Sequence, residues 1–164
     1  MGTMSKLSRV CSFLMAFLFA YSASVQLNDP DWYLWFPLYS LACLVNLIDN
    51  TSLKSKVVRV MGRASLWLGL FLYIRVVVED YRHGIAGFWS VDLRERVVRE
   101  KIGSGLVVSS MMLQLVASKP VRKKPSDPAA GNTALVDVGM VALVGMSYGL
   151  SFIFFAYHKD EMKT

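Results

Sequence analysis

Charge is scarce in this chain, at 18% of residues, and it is absent from long stretches. Uncharged runs of 15 to 20 residues separate compact charged clusters. A soluble helix keeps one face in water and needs no such run, whereas crossing ~30 Å of hydrocarbon requires about 20 apolar residues. Cysteine and histidine are also few, with two of each. Cys11 and Cys43 lie inside apolar runs, with no CxxC spacing and no adjacent histidine cluster, so they read as inert buried thiols and leave no thiol or imidazole metal site. His83 and His158 stand alone in loops, which leaves no nucleophile and base pair to read. The composition therefore excludes an ordinary soluble domain and offers no catalytic signature.

What is present is apolar residue, 54% of the chain. Five spans are expected, at roughly 10–28, 32–48, 60–78, 102–118 and 136–157, with a basic, proline-containing linker over 119–134. The expected fold is all-α: one polytopic membrane domain of about five transmembrane helices joined by short loops. The first span follows Lys6 and Arg9, so a secretory signal peptide is the rival reading of that segment. Ser12, Ala16, Ala20 and Ser24 recur every four residues and predict a small-residue packing stripe. Gly103 and Gly105 in the fourth span, and Gly145 and Gly149 in the fifth, predict close helix contacts. Trp32, Tyr33 and Trp35 open the second span at headgroup level, and Pro37 falls in its first turns. Arg75 stands four residues before Glu79 near the end of the third span, a spacing that allows an ion pair on one face.

Net charge is +6, but the basic residues lie in inter-helix loops rather than along a stripe, which argues against nucleic acid. They also divide by side. With five spans, one side gathers Lys6, Arg9, Lys54, Lys56, Arg59, Arg63, Lys119, Arg122, Lys123 and Lys124 against Asp49 and Asp127. The other has fewer basic residues and more acidic ones. The positive-inside rule then places the N-terminus in the cytoplasm. It also predicts that the Asn50-Thr51-Ser52 sequon stays unglycosylated. The partners expected are the lipid bilayer itself, anionic lipid at the basic loops, and other membrane proteins.

The most concentrated polar feature is Gln26-Leu27-Asn28-Asp29-Pro30-Asp31, a tight hairpin between the first two spans. One reading is helix capping: Asn28 or Asp29 accepts from free backbone N–H groups, Pro30 fixes the turn, and Asp31 caps the next helix. The other is an oxygen-rich site for a hard cation or a polar head group. Topology puts Arg99 and Glu100 on the same side, within reach of Asp29 or Asp31. No residue is assigned as catalytic, cofactor-binding or metal-ligating.

Gln26, Asn28, Asp29, Pro30 and Asp31 closing the first span, an aromatic-flanked second span, and Arg99-Glu100 ahead of Gly105-Leu106 together resemble the transmembrane protein 220 family. The resemblance implies an integral membrane protein of unestablished molecular activity. The functions to weigh are a non-catalytic structural, scaffold or lipid-interacting protein, a small transporter using Asp137 or Arg75, and a membrane enzyme using Asp29, Asp31 and Glu100 on the non-cytoplasmic face.

Overall fold

A computed structural model describes residues 5–48, 56–83, 95–117 and 129–158. They form five α-helices: α1 (Lys6–Gln26), α2 (Trp32–Leu47), α3 (Lys56–His83), α4 (Arg96–Ala117) and α5 (Ala129–His158). No strand occurs among the described residues. Three of the helices are long and apolar enough to cross a membrane, within Lys6–Gln26, Lys56–Arg82 and Ala134–Ile153. Helix α2 is apolar but shorter at 16 residues, about 24 Å at 1.5 Å per residue. Helix α4 is long enough, but its first two turns are charged and its inner face is polar.

The helices outrun the apolar segments because a helix need not stop where the hydrocarbon does. Ser5 caps α1, its Oγ accepting from Ser8 N at 3.0 Å, so that helix starts four residues before the first apolar run. Helix α3 runs on to His83 and α4 begins at Arg96, so residues expected in loops stand on helical faces. His83 and His158 are the last residues of α3 and α5 rather than loop residues. Helix α5 starts at Ala129, inside the segment read as linker 119–134; residues 119–128 of that linker, and the sequon at Asn50, lie outside the described residues.

Specific contacts fix the relative directions. Asp137 and Tyr148 of α5 meet Ser5 and Leu14 of α1 in the same order along both chains, so these helices are parallel. In α3, Gly62 lies near Val45 and Leu115 while Gly69 lies near Leu38 and Val108, so α3 is antiparallel to both α2 and α4. Helices α1, α3 and α5 thus point one way, α2 and α4 the other. The core between them is built from Met15, Phe19, Trp35, Leu38, Leu72 and Met111, all but inaccessible. Large apolar side chains also cover the outside, among them Phe13, Phe17, Trp67, Phe71 and Phe152. An apolar exterior around a core holding serines, an asparagine and a glutamine is what a lipid solvent permits and water does not.

Two packing expectations need correction. In α1, Ser12 and Ala16 are buried but Ala20 and Ser24 are exposed, and Ala23 takes the inward place. A four-residue repeat advances about 40° per step against the 3.6-residue turn, so the stripe rotates out of the contact. Among the described residues nothing lies within 4 Å of a Cβ built on Gly145 or Gly149, so these glycines do not bring α5 close to another described helix. Gly103 does serve close approach: a Cβ there would overlap the Tyr39 hydroxyl.

Candidate functional site: a charged clamp at the hairpin end

The turn between α1 and α2 is held by its backbone. Leu27 N donates to Ser24 O, Asp29 N to Gln26 O, Trp32 N to Asp29 O and Leu34 N to Asp31 O, at 3.0 to 3.4 Å. These three-residue bonds satisfy the helix ends, so the capping expected of Asn28, Asp29 and Asp31 side chains is not needed. Asp31 occupies the position before α2 but makes no side-chain cap. Asn28 and Pro30 are exposed, and Asp29 and Gln26 half-buried.

Asp31 is instead turned to neighbouring side chains. Its Oδ2 accepts from Trp35 Nε1 at 3.2 Å, one turn along α2, and from Arg96 Nη2 at 2.6 Å, across the bundle. Arg96 in turn donates through Nε to Glu100 Oε1 at 2.5 Å. One guanidinium therefore joins two carboxylates, one on α2 and one on α4, in the forked geometry that arginine supplies and lysine does not. The Glu100 side chain is 7% exposed. Burial raises its carboxyl above the ordinary carboxylate range; the hydrogen bond and charge of Arg96 oppose that rise, and Asp31 and Glu79 add to it. Arg96 is itself pushed up, chiefly by its hydrogen bond to Glu100.

Beside this triad, Lys101 Nζ donates to Asp80 Oδ2 at 2.6 Å, with both side chains more than nine-tenths buried. The pair fastens the end of α3 to the start of α4. The residues predicted from sequence are thus partly assembled. Asp31 and Glu100 converge, through Arg96. Arg99, expected in that role, is exposed on α4. Arg96, Lys101 and Asp80 were not singled out from the sequence. The signals for them were the four-residue spacing of Arg96 and Glu100, and Asp80 following the buried Leu72 and Val76 at steps of four.

A second polar node lies at the opposite end of the bundle. Gln114 Nε2 donates to Ser12 Oγ at 2.8 Å and to Asn46 Oδ1 at 3.0 Å, and Asn46 Nδ2 reaches Ser110 Oγ at 3.2 Å and Ala42 O at 2.8 Å. It joins α1, α2 and α4 through neutral groups, each bond of this kind contributing about 0.6 kcal/mol on average inside membranes. Among the described residues, no cluster of histidine, cysteine and carboxylate side chains has the arrangement to hold a metal ion.

Residues 18–116, more than half of the chain, match a known family described as "Transmembrane family 220, helix". The chain belongs to that transmembrane family. The matched segment opens within α1 and closes near the end of α4, so it contains the hairpin, the arginine-centred triad and the Lys101–Asp80 pair. No solved structure matches this chain.

Proposed function

We propose that this member of transmembrane family 220 is a non-catalytic membrane scaffold whose hairpin-end charges clamp its helices together, with the N-terminus in the cytoplasm. The observation that carries the reading is Arg96, which occupies Asp31 and Glu100 at once and neutralises the oxygens a cation would need. The charge distribution supports the orientation. Outside the spans, ten Lys and Arg fall on the N-terminal side, Lys6, Arg9, Lys56, Arg59 and Arg63 among them, against seven on the other, where Arg96, Arg99 and Lys101 stand among Asp29, Asp31, Glu79, Asp80 and Glu100. The packing of Met15 and Phe19 of α1 into the core supports a retained first helix.

One observation favours a second reading, a site for a cation or polar head group on the non-cytoplasmic face. Gln26 Oε1 and Asp31 Oδ1 are buried without a hydrogen-bond donor. Thermal unfolding of the purified protein separates the two. Under the scaffold reading, millimolar Ca²⁺ or Mg²⁺ leaves the midpoint of wild type and of Asp31→Asn unchanged relative to an equal ionic strength of Na⁺. A saturable rise in wild type that Asp31→Asn abolishes establishes the binding site instead.

A further inference from the structure

We propose that the outward face of α3 is a binding site for an anionic phospholipid, its phosphate held by Lys56, Arg59 and Arg63 and its acyl chain lying along Trp67, Phe71 and Ile74. At about 100° per residue these six positions fall within roughly 60° of one line along the helix. All six are exposed. The buried residues of α3, Leu72, Val76 and Asp80 among them, lie on the opposite side. The stripe therefore faces whatever surrounds the bundle and cannot be shared with another helix of this chain at the described positions.

Order along the stripe decides the occupant. Helix α3 has 28 residues, about 42 Å, and exceeds the ~30 Å hydrocarbon thickness by enough to carry its first turns into a headgroup layer. The three cations occupy those turns. None of them has an ion-pair or hydrogen-bond partner among the described residues. Arg63 is followed one turn later by Trp67, a side chain suited to the glycerol level, and then by purely apolar residues. A phospholipid presents the same sequence of chemistries, negative phosphate, ester region, hydrocarbon, in the same direction over the same length. A soluble acidic partner would meet the cations and leave the rest of the stripe unmatched. The inference uses the membrane-spanning placement of α3 and is independent of the clamp and of which compartment the cations face.

The test is quenching of Trp67 by brominated acyl chains in reconstituted vesicles, taking the difference between wild type and Trp67→Phe as the Trp67 signal. Brominated phosphatidylglycerol in a phosphatidylcholine matrix is compared with brominated phosphatidylcholine in a phosphatidylglycerol matrix at equal mole fraction of the brominated lipid. At low salt the wild type is expected to enrich the anionic lipid roughly ten-fold beside Trp67, less at high salt. Lys56→Gln/Arg59→Gln/Arg63→Gln is expected to bring the ratio near one, Arg63→Gln alone to an intermediate value, and Arg75→Gln, off the stripe, to leave it unchanged. Helical circular dichroism confirms that each variant folds. Equal quenching by the two lipids in wild type overturns the proposal, as does a preference that survives in the folded triple variant.

Discussion

Replacing Lys101 by Met, with Asp80 left in place, lowers the stability of the bundle by about 3–5 kcal/mol. The magnitude follows from burial: with the ammonium gone, Asp80 loses a cationic partner at a site where it is 5% exposed, and its carboxylate keeps the desolvation cost that the ammonium offset. Asp80→Leu removes the carboxylate from the buried ammonium and is expected to cost a similar amount. The double variant Asp80→Leu/Lys101→Met removes both charges and is expected to recover at least half of the loss, because a buried ion pair is costly to break but replaceable by apolar packing of similar volume. Thermal or denaturant unfolding in one detergent gives the four corners of the cycle. Additive losses in the double variant contradict the pairing.

Gly103→Ala carries the second large effect, about 1–3 kcal/mol of destabilisation from overpacking. The added methyl would overlap the Tyr39 hydroxyl oxygen and lie 3.3 Å from the ring carbon that bears it. Tyr39 has little room to retreat: it is 4% exposed and stacks with Phe19 and Trp35 at centroid distances of 6.3 and 6.2 Å. The conflict is mainly with one oxygen, so Tyr39→Phe in the same chain is expected to restore most of the stability. Gly145→Ala is the internal control and costs far less, since nothing lies within 4 Å of that methyl. The same unfolding measurement reads both, and equal losses at the two glycines would refute the packing account.

Four of the five helices were legible from sequence because a membrane span announces itself by a long absence of charge, and α3 was legible although Arg75 interrupts its apolar run. The same criterion hid the clamp. With spans at 60–78 and 102–118, Asp80, Arg96 and Lys101 fall in loops, where helical register says nothing about them, and Glu100 stands out only by its nearness to the hairpin. They stand on the ends of α3 and α4 beyond the apolar runs, and there the spacing of Arg96 and Glu100 becomes a contact. For Asp31 the sequence offers both a cap and an ion-pair partner from the start of α4; its side chain makes no cap, and the cation it meets is Arg96, 65 residues away, rather than Arg99. Asn46 had no local signal at all. Its partners Ser110 and Gln114 come from α4, and only the side-by-side parallel arrangement of α2 and α4 brings them together.

The account rests on a bundle that crosses the bilayer with the hairpin end and the basic end on opposite faces, and labelling by a membrane-impermeant maleimide in sealed, oriented vesicles tests this most directly. With Cys11 and Cys43 replaced by Ala, a single cysteine is placed at Asn28 or at Lys56, both exposed positions. The predicted result is labelling of the Asn28 site only from the non-cytoplasmic side and of the Lys56 site only from the cytoplasmic side. Labelling of both from the same side would contradict a bundle whose hairpin end and basic end lie on opposite faces of the bilayer.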